Sequence, residues 1–211
     1  MAANTLAPSG FHPVFPYGAA PGNYATMQRQ LAYNYASNIA FGDPVKMDTN
    51  GNINVVANGG TTIDGIALGV DYFDPNNILS GRYHAAWLQP SGLASSTLVE
   101  VKVMMDPRMV FYCQARGTAA TATAIGKNVD IYTGTSASPV TGSGLSVCAL
   151  DIANAATTST LPFRIVGIVG LTPGFSPSAP CIAPGYVATN DNQWLAVTMN
   201  TQDMTTRSGQ A

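Results

Sequence analysis

The chain has 211 residues, of which 46% are hydrophobic and 9% are charged, and 9 basic against 11 acidic residues give a net charge of −2. The length and the hydrophobic content predict a folded chain with a sizeable core rather than a disordered polymer. Scattered Lys and Arg residues argue against the clustered basic surface that phosphate-driven nucleic-acid binding needs. The charged fraction is far below the roughly 25% of ordinary domains, which indicates an exterior of neutral polar side chains or one covered by other subunits.

The sequence also argues against a membrane partner. No stretch reaches the roughly 18 continuous apolar residues of a transmembrane helix, and no polybasic run is present. The first nine residues lack the charged and apolar regions of a secretory signal. Cys113, Cys148 and Cys181 have no metal-binding spacing, and we interpret the first two as buried free thiols in apolar strands. Synthesis in a reducing cytoplasm fits this cysteine usage.

Residues 1–36 differ in composition from the rest of the chain, because Pro, Gly and aromatic residues are mixed there at high density. Such a segment forms neither a regular helix nor a central strand, and we predict an extended arm. The aromatic rings are candidates for filling pockets on a partner surface. The candidate partner-binding residues are Phe11, Phe15, Tyr17 and Tyr24. An arm that packs on its own domain is equally compatible with the sequence.

Residues 37–211 predict a β-rich body, with turn signals about every ten residues that favour a barrel or a sandwich. Asn-Gly within 48–52 predicts a tight hairpin, and the glycines within 63–73 predict a bulge or a corner. Residues 118–125 read as a short helix or a loop, and 27–36 is the nearest candidate for an amphipathic helix. The predicted strands are 39–47 with a turn at 42–44, 53–57, 63–73, 82–88, 98–105, 109–115, 129–133, 145–151, 161–171 and 194–199.

A search for catalytic and ligand-binding patterns gives no site. The two histidines, His12 and His84, have no metal-ligand spacing, and no G-x-S-x-G motif occurs. Gly126-Lys127 lacks the other residues of a phosphate-binding loop. Asp48-Thr-Asn-Gly resembles the start of a calcium loop, but a hairpin turn explains it better. We therefore predict no enzyme activity, no cofactor and no metal.

Several segments, taken in order, resemble a family of tailed-phage virion proteins that are commonly encoded near the major capsid protein. They cover roughly residues 38–200, and each is weak alone while the ordered set is moderately specific. The segments are NIAFGDPV at 38–45, GIALGVDYFD at 65–74, VMMDP at 103–107, FYCQ at 111–114, IGKNVD at 125–130, PFRIV at 162–166 and VTMN at 197–200.

The resemblance implies a virion structural protein of the head decoration, or cement, type. It implies the major capsid protein as partner, a position on the exterior of the capsid, and self-association as a homotrimer around local three-fold axes. Under this hypothesis, deleting residues 1–36 weakens capsid binding and leaves the β-rich body folded.

Two other function classes stay open at this point. The chain could be a receptor-binding or fibre-like virion protein, with aromatic side chains forming a platform on which sugars stack, although aromatics in strands are more often core. The platform residues would be Tyr72, Tyr83, Trp87 and Trp194. An enzyme would need a clustered pair of acids with perturbed pKa values, which sequence alone does not show.

Overall fold

A computed structural model describes residues 7–16, 26–73, 82–88, 92–133, 144–169 and 192–200. These residues form fourteen β-strands, one 3₁₀ turn at Ala122–Ala124 and no α-helix, which confirms the predicted all-β class. The strands are β1 His12–Pro16, β2 Thr26–Leu31, β3 Ile39–Ala40, β4 Pro44–Met47, β5 Ile53–Val55, β6 Gly65–Asp71, β7 Tyr83–His84, β8 Ala86–Trp87, β9 Val99–Met104, β10 Met109–Arg116, β11 Asn128–Tyr132, β12 Ala149–Ala156, β13 Phe163–Ile168 and β14 Trp194–Met199.

Five strands close into a barrel in the order β10-β12-β11-β13-β14, because β14 pairs back onto β10. All these pairings are antiparallel except that of β10 with β12. The barrel interior is filled by apolar side chains such as Phe111, Leu150 and Val197, which are fully buried. β1 pairs with residues 109–112 of β10 and has no other neighbouring strand among the described residues. Pro13 and Pro16 are tolerated in β1 because a strand with a single neighbour needs fewer backbone donors.

The second sheet has the order β2-β9-β6-β4-β5, with β7 paired to β6. In β9 the valines Val99, Val101 and Val103 are buried and Lys102 is exposed, so the predicted alternation is confirmed. These valines pack into a second core cluster that includes Trp87. The short strands β3 and β8 pair with each other beside it.

Two predicted turn features are confirmed. In the β4–β5 hairpin, Asp48 Oδ1 accepts hydrogen bonds from the N–H groups of Asn50 and Asn52, at 2.8 and 2.9 Å, and Gly51 has a φ of 83°. In β6, the register against β9 shifts between Ala67 and Gly69, and Gly69 has a φ of 147°. Glycine therefore marks both the turn and the bulge.

Three local predictions need correction or refinement. Residues 27–36, the nearest helix candidate, contain most of strand β2 instead, because residues 26–31 pair with β9 along their whole length. The strand predicted at 145–151 begins at Ala149 and runs to Ala156. The loop-or-helix segment 118–125 contains the 3₁₀ turn.

The segment predicted as an arm contributes two strands to the sheets. β1 pairs with β10 in the first sheet, and β2 pairs with β9 in the second. Leu31, at the end of β2, is buried in the second core cluster. Deletion of residues 1–36 therefore removes two paired strands together with any partner-binding side chains, so it cannot separate binding from folding.

Candidate functional site

Of the aromatic side chains proposed to bind a partner, Phe11 lies in the core of its own chain. Its ring stacks on Phe163 with centroids 4.3 Å apart and meets Phe111 edge-on at 6.4 Å. It has no exposed surface, and its N–H donates to the carbonyl oxygen of Gly42 at 2.9 Å. The position of Phe11 fits the alternative that the N-terminal segment packs on its own domain. The other predicted partner-binding residues are Phe15, Tyr17 and Tyr24. The side chain of Phe15 and the whole of Tyr17 and Tyr24 lie outside the described part of the chain.

A different group of large apolar side chains is exposed, at one end of the second sheet. Phe73 follows β6 and Leu98 precedes β9, and these antiparallel strands meet at this end because Asp71 lies opposite Glu100. β2 ends there too, since Leu31 lies opposite Val99, and Tyr33 follows it. Phe73 and Leu98 are 53% and 54% exposed. Such side chains gain most from being covered.

Leu88, which follows Trp87, is also exposed. The indole Nε1 of Trp87 donates to the carbonyl oxygen of Tyr35 at 3.0 Å, in the loop that also holds Tyr33. We call the group Tyr33, Phe73 and Leu98 the apolar end. The sequence does not reveal this group, because an apolar residue next to a strand looks like another core residue until the strand boundary is known.

The charged residues beside the apolar end are Asp71 and Glu100, which lie opposite each other, and Arg82, which pairs with Asp71. Among the described residues, the ion pairs are Arg82 with Asp71, at 3.2 Å, and Arg108 with Asp106, at 3.4 Å. Both arginine side chains are largely exposed, and pairs of that kind add about 0–1 kcal/mol. Binding at the apolar end would therefore gain mainly from apolar burial, beside the ionised groups of Asp71, Arg82 and Glu100.

The four aromatics proposed as a sugar platform do not form one surface. Trp87 and Tyr72 are buried and meet edge-on at 5.2 Å inside the second core cluster. Trp194 is half-buried on β14, with its ring 5.9 Å from that of His12. Tyr83 is exposed and lies on the second sheet. The platform prediction is therefore wrong as a set of four, because two of its members are core residues.

Within the described part of the chain, a cluster of nucleophile and acid side chains is buried around Asp43. Asp43 accepts hydrogen bonds from the Ser146 hydroxyl and, at 2.7 Å, from the N–H of Ala40. Ser146 Oγ in turn accepts from the N–H of Cys148 at 2.9 Å. Burial raises the pKa of the Asp43 carboxyl and that of the Cys148 thiol, which disfavours the ionised forms of both. The cluster links residues 40–43 to 146–148, so it acts as a structural joint.

Glycines allow the chain to pass closely at this joint. Gly10 has a φ of 79°, and a Cβ there would lie 2.6 Å from the Cβ of Ser146 and 2.8 Å from the carbonyl oxygen of Gly42. The N–H of Ser146 donates to the carbonyl oxygen of Phe41 at 2.9 Å, and the N–H of Phe41 donates to that of Gly144 at 3.0 Å. Three segments that are distant in sequence therefore meet here through backbone contacts.

The histidines and thiols have structural surroundings. His12 Nε2 lies 2.7 Å from the Ser9 hydroxyl, and burial lowers the pKa of its imidazole. His84 stacks on Tyr72 with centroids 4.3 Å apart. Cys113 and Cys148 are free and buried, as predicted, and Cys181 lies outside the described residues. Burial also raises the pKa of Cys113, which keeps it a neutral thiol.

The part of the chain that the structure describes contains no group of three or more His, Cys, Asp or Glu side chains placed to hold a metal ion. Nor do the described residues include a helix with the length and apolar content needed to span a bilayer. Comparison of the chain with family models, with curated proteins and with solved structures gave no match.

Proposed function

We propose that the chain is a non-enzymatic structural protein of the tailed-phage virion that decorates the head by binding the shell of the major capsid protein. The observation that carries this proposal is the apolar end, where three large apolar side chains are exposed around the ends of paired strands. The resemblance of residues 38–200 to phage virion proteins names the partner. A position on the capsid exterior, after synthesis in the host cytoplasm, follows from that partner.

The physical case rests on what a surface poor in charge can do. Burying a large apolar side chain completely gives about 1.5–3 kcal/mol, so a few such residues supply much of the free energy of a moderate interface. With only 9% charged residues, the chain has few ionised groups to desolvate on docking. These properties suit an interface held by packing.

The body also suits a mechanical role. The described residues include a closed barrel, a tight hairpin and a buried hydrogen-bonded contact between residues 40–43 and 146–148. A rigid surface loses little conformational freedom on binding, and the affinity benefits accordingly. Self-association as a homotrimer would let one patch on each copy serve a three-fold position of the shell.

The test uses phage heads assembled without this chain and the full-length purified protein in a co-sedimentation assay. We expect saturable binding, and a loss of affinity of about tenfold in the double variant Phe73→Ser/Leu98→Ser, since about 1.4 kcal/mol of apolar burial is lost. The matched control is Met27→Ser. Met27 is a large apolar residue of β2 that is 43% exposed but lies at the opposite end of the sheet.

Thermal unfolding of each variant shows whether the fold is kept, and exposed positions are expected to keep it. Failure of the wild-type chain to sediment with heads contradicts the proposal. So does equal binding of the double variant and the control. Native mass spectrometry tests the homotrimer separately, and a monomer at all concentrations contradicts that part.

A further inference from the structure

A groove of about 360 Å³ lies on the outer face of the second sheet, close to the apolar end but separate from it. Its floor follows one row across three strands, since Gln28 of β2 lies opposite Lys102 of β9, and Lys102 lies opposite Gly69 of β6. The lining residues are Thr26, Met27, Gln28, Asp71, Tyr83 and Lys102.

Tyr83 forms one wall of the groove in a fixed orientation. Its hydroxyl donates to the carbonyl oxygen of Leu68 at 2.6 Å. Its ring lies directly against Gly69, where a Cβ would overlap the hydroxyl oxygen and the ring carbons. The bulge and the positive φ of Gly69 therefore make room for this ring. Even so, 59% of the residue is exposed. The hydrogen bond to Leu68 and the contact with Gly69 hold the ring in place. A ligand that packs on the ring therefore costs little side-chain conformational entropy.

Side chains that donate hydrogen bonds and side chains that accept them surround the ring of Tyr83. Lys102 and Gln28 are exposed and supply N–H donors, and the Gln28 amide also supplies an acceptor. The Asp71 carboxylate supplies acceptors, and Arg82 Nε lies 3.2 Å from its Oδ1. Lys102 and Asp71 carry opposite charges, so the lining residues have no net charge.

We propose that this groove binds a neutral saccharide unit, an activity that goes beyond the proposed head binding. A sugar ring has an apolar C–H face that packs on the negative face of an aromatic ring, and hydroxyl groups that need donors and acceptors at its rim. The volume is at the lower end of the roughly 300–1,000 Å³ of small-ligand sites. An anionic ligand would need more than one cation.

A nucleobase could also stack on a tyrosine, but nucleic-acid grooves are strongly basic and this one is neutral. The test therefore includes both ligands. The full chain is applied to an array of neutral, sialylated and sulfated oligosaccharides. The strongest neutral hit and a short single-stranded thymidine oligonucleotide are then titrated by calorimetry.

We expect a neutral saccharide to bind, and Tyr83→Ala to weaken it about tenfold, a loss of about 1.4 kcal/mol. The matched control is Phe73→Ala, which removes an equally exposed aromatic residue outside the groove and should leave the affinity unchanged. Gln28→Ala and Lys102→Ala alter exposed positions, and a severalfold loss in each is expected even if Tyr83→Ala does not fold.

Three results would overturn the inference. The first is an array on which no neutral saccharide binds. The second is binding that all three groove variants leave unchanged. The third is an oligonucleotide that binds more tightly than any saccharide. Head binding is also measured on the three groove variants, Tyr83→Ala, Gln28→Ala and Lys102→Ala. It should be retained in them, so the failure of this inference and the failure of the proposed function are distinguishable.

Discussion

Replacing Phe11 with Ala tests whether the N-terminal segment is part of the core. The ring is fully buried, stacks on Phe163 and meets Phe111 edge-on. Truncation of a buried Phe to Ala costs about 3–5 kcal/mol, through lost transfer free energy and the cavity that remains. An aromatic pair adds about 0.5–1.5 kcal/mol beyond its buried area, so we expect a loss of about 4 kcal/mol. For a chain of this length, that lowers Tm by about 8–16 °C.

The assay is urea unfolding followed by tryptophan fluorescence, with calorimetry for Tm. Phe73→Ala is the control, because Phe73 is 53% exposed and should change the unfolding free energy by no more than about 0.5 kcal/mol. A Phe11→Ala loss below about 1 kcal/mol would refute the reasoning, since the segment would then not be packed as described. A loss of head binding without a loss of stability would restore Phe11 as a partner-binding residue.

Four further outcomes concern the joint and, for comparison, a glycine of the β4–β5 hairpin. Gly10→Ala should cost more than about 2 kcal/mol in urea unfolding, because its Cβ meets Ser146 and the φ is positive, while Gly51→Ala, with open space around it, should cost about 1 kcal/mol. Asp43→Ala should cost about 2–4 kcal/mol in the same assay, because a backbone N–H and the Ser146 hydroxyl lose their acceptor. Burial raises the pKa of Asp43 in the folded state, so its contribution to the unfolding free energy is fully present below the ordinary carboxyl pKa and is lost as pH rises through the raised value. Asp43→Asn should therefore flatten that fall in unfolding free energy, measured from the ordinary carboxyl pKa upward, and leave the part due to Asp130, whose pKa burial also raises. An unchanged pH profile would contradict a raised pKa at Asp43.

The regular parts of the fold could be predicted from local pattern. The alternating valines predict β9, and Asn-Gly predicts the β4–β5 hairpin. Both patterns involve residues only a few positions apart. β12 was misplaced because residues 145–148 are as apolar as a strand. In the fold they contact 41–43 instead, about a hundred positions away, and no local pattern reports such a partner.

The fate of the aromatic residues could not be predicted for the same reason. Phe11 packs against Phe111 and Phe163, which are distant in sequence. The sequence alone therefore does not distinguish a Phe11 that packs on its own chain from one that binds a partner. Trp87 and Tyr83 are both aromatic residues near short strands, but one is fully buried and the other mostly exposed. The difference arises from which face of the second sheet each residue meets.

The joint and the apolar end lie in different parts of the fold. At one end of the β6–β9 pair, Ile66 lies opposite Met104, and both are buried in the core cluster that includes the barrel interior. At the other end of the pair, Phe73 and Leu98 are exposed. A substitution at the joint would therefore reach a partner only by loosening the fold, and its effect on head binding should follow Tm. A substitution at the apolar end removes contact area and should change head binding at constant Tm. The two kinds of loss are separable because core packing and surface burial are independent contributions when the sites share no contacts.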